Sequence, residues 1–238
     1  MIVAHKPDVN PDDYCYDTGL KFGADLGKAL LDKFLVDPNV LAQDTVGIYG
    51  EYAATAAQKP YADIKEMARR KKQARDHNDG LPHVSAKQWL FPNNLRQELD
   101  EVTPDWLRSV EPDTVLAVLQ ATKGGRYFAV HCDNKRTSSL FMLLQGQGQE
   151  TCWYRNTEPF DVISPAKIAD YDKIEPVLTV VLQPYRWYVF NHAAWHGVSG
   201  FVDGGERVHV SLDFKYLSAS DLVRMVKTNA HHRTSIEC

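Results

Sequence analysis

The chain has 238 residues, 44% of them hydrophobic and 24% charged, with a formal net charge of −4. This is the balance of an ordinary globular protein, long enough to bury a sizeable core in one domain or one domain with a helical appendage. The charge gives no global reason to expect nucleic acid or a membrane surface as partner, and no apolar run approaches a bilayer span.

Cys15, Cys132, Cys152 and Cys238 show no C-x-x-C spacing and no dense framework. That fits a reducing compartment and argues against a zinc ribbon or a secreted scaffold. The opening MIVAHKPDVNPDD lacks the basic-then-apolar pattern of a signal peptide. A cytoplasmic protein is expected.

Residues 1–16 read as an irregular lead-in with Pro7 and Pro11. Asp17 or Thr18 is placed to cap a helix running to about Leu35, because Leu20, Ala24, Leu26, Leu30, Leu31 and Phe34 recur at threes and fours. Val40 to Tyr61 is alanine-rich and reads as helical. Asp63 to Arg75 reads as a charged surface helix carrying the one basic patch, Arg69 to Lys72. The simple reading of that patch is a solvated helix face; the other is a contact for an acidic substrate or partner. Asp76 to Gly80 is a turn signal. Leu81 to Pro92 is a loop or short strand with Trp89 and Phe91 as core anchors. Short helices are expected over Asn94–Glu101 and from Thr103-Pro104 to Val110.

From Thr114 the character changes to short runs rich in Val, Phe, Tyr and Leu between turn residues. Strands are expected near Val115–Gln120, Tyr127–Asp133, Ser138–Leu144, Thr151–Tyr154, Val177–Leu182, Arg186–Phe190 and Val208–Tyr216. Turns fall at Lys123-Gly124-Gly125, Gly146-Gln147-Gly148 and Asp203-Gly204-Gly205. So many short strands point to a sandwich or jelly roll. Ser220 is placed to cap a last helix, Asp221 to Lys227, before a fraying tail. The expected architecture is α+β, with helices flanking a β core. Residues 1–112 form a mainly helical flank, 113–218 the core and 219–238 the closing helix and tail of one domain.

The chemistry-bearing residues sit in the β half. Tyr127 to Val130 leads into His131-Cys132-Asp133. Residues two apart on a strand share a face, so His131 and Asp133 project together and Cys132 turns away to pack. A histidine and a carboxylate on one face are two of the three ligands of a two-histidine, one-carboxylate iron(II) site. His196 follows the strand-like Trp187–Phe190 and supplies the third; His192, four residues earlier, is the competing distal histidine. Arg207 opens the run Arg207 to Phe214, which alternates without a break. Val208, Val210, Leu212 and Phe214 make one face, and Arg207, His209, Ser211 and Asp213 the other. A solvated outer face or a polar pocket lining would each explain the second face; an arginine fork suits the pocket, where it grips a carboxylate.

The ordered set His131-x-Asp133, His196 and Arg207 resembles the iron(II)- and 2-oxoglutarate-dependent dioxygenase superfamily. Phe190 to Val198 is similar to its distal-histidine strand, and His131 to Asn134 with Ser139 to Leu144 to its proximal half. The resemblance implies a double-stranded β-helix (jelly roll) core buttressed by helices. It implies iron(II) on His131, Asp133 and His196 as the catalytic centre, with 2-oxoglutarate and O2 as co-substrates and ascorbate as reductant. Arg207, with Ser211 and Tyr127, would hold the co-substrate, while Arg126, His209 and Trp153 would border the substrate pocket. Hydroxylation of an unactivated C–H bond, with succinate and CO2 as co-products, is the implied outcome. A small metabolite or amino acid is the expected substrate, and a protein or nucleic-acid substrate stays open. Two rivals share the fold: another cupin-type metalloenzyme, a 2-oxoglutarate-independent dioxygenase or isomerase, and a non-catalytic jelly-roll binding module. Single-residue alternatives also stand. His131 also reads as a core histidine, Asp133 as a rim aspartate and Arg207 as a surface residue after a turn.

Overall fold

In a computed structural model, the residues described are 1–21, 61–81, 83, 85–90, 114–121, 126–133, 136–146, 148–159, 168–202 and 206–234, with several between 25 and 32. Eleven strands are described. They are β1 (Ile2–His5), β2 (Cys15–Lys21), β3 (Ser85–Leu90), β4 (Thr114–Ala121), β5 (Phe128–His131), β6 (Ser138–Gln145), β7 (Glu150–Asn156), β8 (Ile174–Val181), β9 (Arg186–Asn191), β10 (Trp195–Ser199) and β11 (Glu206–Phe214). Two longer helices accompany them, α1 (Tyr61–His77) and α2 (Ala219–Thr234). One sheet has the order β1-β8-β7-β10-β5 and the other β2-β9-β6-β11-β4-β3. Every named ladder is antiparallel. This is the α+β jelly roll that the strand spacing called for.

Alternation along the central strands makes two cores. On β6, Leu140, Met142 and Leu144 join Val208, Val210, Leu212 and Phe214 of β11 in one cluster. Leu222, Val223 and Val226 of α2 cover that cluster, so α2 is the lid of the larger sheet's outer face. Phe141 and Leu143, the intervening residues of β6, face inward with Trp153, Leu178, Tyr188 and Phe190. β6 is buried on both faces, which is why its sequence reads as an unbroken apolar run.

Several expectations are corrected. Cys15–Lys21 is a strand, not the first turns of a helix beginning at Asp17 or Thr18; helical residues appear only from Asp25 on. Pairing of Cys15, Tyr16 and Asp17 with β9 wins over the helical spacing, and Gly19, at φ 74°, bends the strand beyond them. β1 and β2 bring strands into the stretch expected to be mainly helical, while β3 is the short strand that Leu81 to Pro92 allowed. β10, absent from the strands expected by residue pattern, is hydrogen-bonded to both β7 and β5. The cap of α2 is Ser218, whose Oγ accepts from Asp221 N and donates to the Asp221 carboxylate; Ser220 is not the cap. The helix also runs on to Thr234. The helices expected over 40–61, 94–101 and 103–110, Phe91 as an anchor, and the turns at 123–125 and 203–205 lie outside the described residues.

In the basic stretch of α1, Arg70 is buried while Arg69, Lys71 and Lys72 are exposed. Arg69 pairs with Glu66 and with buried Asp170, and Arg70 donates to Glu66 and the Ile168 carbonyl. Lys72 pairs with Asp76. The contacts of Arg69 with Asp170 and of Arg70 with Ile168 tie the helix to the segment leading into β8. Among the described residues no helix is long and apolar enough to cross a membrane.

Candidate metal centre

His131 closes β5 and stands opposite His196 in the β5–β10 ladder, with ring centroids 4.4 Å apart. The strands approach closely here. A Cβ at Gly197 would sit 3.0 Å from the Phe128 carbonyl oxygen and 3.1 Å from a methyl of Val130, so the residue after His196 has little room for a side chain. The turn between β9 and β10 is built by Asn191, whose Oδ1 accepts from Ala193 N and Ala194 N. Its backbone carbonyl accepts from Trp153 Nε1. The turn is fastened to the other side of the site, because Asp133 N donates to His192 O and His192 N to Thr137 O.

Local hydrogen bonds decide which atoms remain for a metal. His131 Nδ1 lies 2.8 Å from Ala129 O, and His196 Nδ1 lies 2.9 Å from Ala194 O. A ring nitrogen bonded to a carbonyl carries the proton, which leaves Nε2 of each ring as a lone pair. Asp133 Oδ2 accepts from Arg136 Nε at 2.5 Å, while Oδ1 sits 3.7 Å from His131 Nε2. The two rings lie 4.4 Å apart, centre to centre, with the Asp133 carboxylate beside His131. Their outer atoms are already held, the arrangement that orients ligands in metal sites.

His192 is the fourth member. Its Nε2 is 2.8 Å from Ser139 Oγ; its Nδ1 is 2.9 Å from Asp133 Oδ2, off the line of a hydrogen bond. Asp133, His192 and His196 each offer a ligand atom within 4.8 Å of the others'. A candidate His/His/Asp metal site therefore exists, and two histidines, His131 and His192, compete for the place beside His196.

Charge states suit a cation. Burial alone would raise the Asp133 carboxyl, but Arg136, His192 and His131 outweigh it and hold it well below the usual carboxylate range. His196 is pushed well below the usual imidazole range by burial and by neighbouring His131, so it is neutral and able to ligate. Burial and Arg136 likewise lower His192.

Arg136 was not singled out from the sequence, and it organises the site. Beyond Asp133 it donates through Nη1 to both oxygens of buried Asp213 at 3.0 Å and to Ser211 Oγ at 3.4 Å. Ser211 Oγ donates to Asp213 Oδ1, so its proton is directed at that carboxylate. The signal for Asp213 was the unbroken alternation of β11. Arg136 sits in a short connection with no periodic pattern, so only its charge, three residues past Asp133, marked it.

The polar face of β11 points inward. Arg207, His209, Ser211 and Asp213 are all buried. Arg207 Nη2 donates to Thr151 Oγ1 at 3.1 Å, and its guanidinium carbon lies 5.4 Å from the centre of the Phe141 ring. Burial lowers its pKa to about 10. For a group that stays protonated in proteins, this expresses how poorly the interior solvates the cation. His209 stacks on the same Phe141 ring at 4.2 Å.

The remaining sequence-predicted residues spread out. Trp153 is fully buried beside Phe190. Tyr127 packs against Ala74 of α1 and Ala129, with its ring edge-on to His83. Arg126 donates to Phe201 O at 3.2 Å. Cys132 packs against Val130, Ala169 and Trp195.

No family model matches the chain, and no curated protein matches it. Among solved structures, the apo form of ThoJ, a non-heme monooxygenase, is similar at 13% identity and a TM-score of 0.43, over 85% of this chain and 74% of that one. HygX from Streptomyces hygroscopicus, with nickel and 2-oxoglutarate bound, is similar at 11% identity and a TM-score of 0.35, over 63% of this chain and 80% of its own. Vicilin from Corylus avellana (hazelnut) is similar at 8% identity and a TM-score of 0.30; the match covers 55% of this chain and only 29% of the vicilin. So low an identity and TM-score describe a loose likeness of shape.

Proposed function

We propose that the protein is an iron(II)- and 2-oxoglutarate-dependent oxygenase. It hydroxylates an unactivated C–H bond of a small metabolite or amino acid, with succinate and CO2 as co-products. One observation carries this reading: the His131 and His196 rings, each with Nδ1 on a backbone carbonyl, stand 4.4 Å apart beside the Asp133 carboxylate, at one end of a buried polar strip that leads to Arg207. Nitrogen and oxygen donors of this kind suit iron(II). When bound, the metal supplies the site for the 2-oxo acid and dioxygen and the oxidising power for C–H cleavage.

The chain's own residues do the rest. His131, Asp133 and His196 hold the metal. Arg136 holds the second oxygen of Asp133 and so orients the carboxylate. Arg207, a poorly solvated cation, receives the far carboxylate of 2-oxoglutarate in the bidentate manner guanidinium favours. The side chains of His131 and Asp133 are 24% and 21% exposed, against 3% for His192. The substrate therefore enters beside His131, and Phe141, Tyr188 and Phe190 exclude water beneath it. Ascorbate keeps the iron reduced. The protein acts in the cytoplasm, where Cys15, Cys132 and Cys152 stay free thiols.

The compact trio Asp133, His192 and His196 favours a second ligand set with His192 in place of His131. Against it, the His192 side chain is 3% exposed and that of His131 24%, so His131 is the ring a substrate can approach. Purified protein with iron(II), ascorbate and 2-oxoglutarate is expected to release succinate. His131→Ala abolishes that release, while His192→Ala leaves a measurable rate. No succinate from the wild type overturns the function, and normal release by His131→Ala overturns the ligand set.

A further inference from the structure

We propose that the outer face of the smaller sheet, behind the candidate metal centre, carries a second binding site, which takes a neutral single-ring phenol with the Tyr171 hydroxyl as its hydrogen-bond donor. The site goes beyond the functional reading above and does not depend on it. Val130 of β5, Cys152 and Tyr154 of β7 and Gly197 of β10 lie one residue out of phase with His131, Trp153 and His196. They therefore face away from the candidate ligands, and they floor a partly open cavity of about 120 Å³. The C-terminal end of α1, Tyr127 and Tyr171 wall it. An apolar cavity of about 150 Å³ holds one benzene ring, so this space is matched to one ring and not to two.

The walls are aromatic and carry no fixed charge. His77, Tyr127, Phe128, Tyr154 and Tyr171 line the space, and among the described residues no carboxylate, lysine or arginine does. Burial raises the phenols of Tyr127 and Tyr154 and pushes Tyr171 up to about 12, so all three stay neutral. A charged ligand would lose its water here without meeting a countercharge, whereas a neutral ring packs against the rings on offer. The hydroxyls decide where its polar atom goes. Tyr154 donates to the Cys152 sulfur, which also accepts from Thr179 Oγ1 at 3.4 Å, so that pair is already used. The Tyr171 hydroxyl accepts from Val130 N at 2.9 Å and keeps its own proton to give. An aliphatic alcohol of the same size brings the acceptor oxygen without the flat ring. An arene without a hydroxyl brings the ring without the oxygen. A phenol supplies both.

The test is an NMR titration of the full chain, isotope-labelled at its valine methyls, with phenol, benzoate and cyclohexanol as probes. Phenol is expected to move the Val130 and Val198 methyl signals with a dissociation constant on the order of 1 mM, in keeping with so small a ligand. Benzoate, which is charged, is expected to bind at least about tenfold more weakly, and cyclohexanol about fivefold. Tyr171→Phe keeps the ring and loses the donor, and is expected to weaken phenol binding roughly fivefold. Cys152→Met fills the floor and is expected to abolish it. Methyl signals that stay put at about ten times the expected constant overturn the proposal. So does equal binding of benzoate or cyclohexanol, or phenol binding undiminished by either substitution. Should Tyr171→Phe not fold, the wild type decides: nuclear Overhauser contacts between the phenol ring protons and the Val130 methyls are expected, and their absence at saturation overturns the proposal. None of these results touches succinate release, so the oxygenase reading stands or falls separately.

Discussion

The two faces of β11 are equally buried and have opposite effects on stability. Val208, Val210, Leu212 and Phe214 lie under α2 in the larger core, where each apolar side chain removed from water contributes about 1.5–3 kcal/mol. Arg207, His209, Ser211 and Asp213 lie one residue out of phase on the inner face, where burial disfavours charge and leaves His209 Nδ1 unpaired. One strand thus carries a stabilising face and a costly one. Polar groups kept at a cost inside a packed barrel indicate a site, because a purely structural interior would be more stable with apolar residues.

The comparison breaks most visibly at the metal end. Asp133→Ala removes the one carboxylate among the donors and leaves Arg136 with Asp213 and Ser211. Metal-dependent succinate release is expected to fall by at least about a thousandfold, and metal content after dialysis, read by elemental analysis, to fall with it. Leu212→Ala acts on the other face. It opens a cavity in the cluster under α2 and is expected to lower unfolding free energy by about 2–5 kcal/mol in urea melts, with the metal content of the folded protein unchanged. An inner-face change that cost as much stability as Leu212→Ala, and no function, would remove the distinction between the faces.

Arg207→Met sharpens it. The guanidinium is destabilised by burial. An apolar side chain of similar length is expected to leave stability unchanged or raise it by about 1 kcal/mol, while 2-oxoglutarate binding weakens by roughly ten- to a hundredfold. Loss of binding together with gain of stability is the signature of a functional charge. A structural arginine would show the reverse.

How much of this was legible beforehand follows from the range of the interactions concerned. The alternation of β11 and the apolar run of β6 are written residue by residue, so strands from Thr114 on were read with small boundary errors. β2 was not, because Leu20 heads a run of leucines and alanines spaced as in a helix, and only pairing with β9, far along the chain, overrides it. β10 was hidden by small residues in Ala193-Ala194-Trp195-His196-Gly197, where Gly197 serves a close strand approach that no local pattern announces. At the site, His131, Asp133 and His196 came from spacing and order. Arg136 joining Asp133 to Asp213, and His192 anchored on Ser139, are tertiary facts, made by groups up to 77 residues apart. Sequence spacing shows which donors share a strand; it does not show which carboxylate oxygen a distant cation has taken.

The smallest effect concerns pH. Burial first, and then Arg207 and Arg136, lower the His209 pKa well below the ordinary 6.5 in the folded protein. Between the folded and unfolded values the unfolded chain binds the extra proton, so stability is retained above about pH 6.5 and lost as pH falls below it. One such group contributes a slope of about 1.4 kcal/mol per pH unit. His192 and His196, lowered in the same direction, add to it in metal-free protein. Urea midpoints of metal-free protein followed from pH 8 to pH 5 should bend downward near 6.5, and His209→Phe should reduce the acid slope by about one proton. On the outer face, Val210→Ala is expected to lower the whole curve without changing its slope, because no titrating group is involved. Parallel curves for His209→Phe and wild type would mean that the ring is not held neutral, and the inner face would then be less costly than its burial implies.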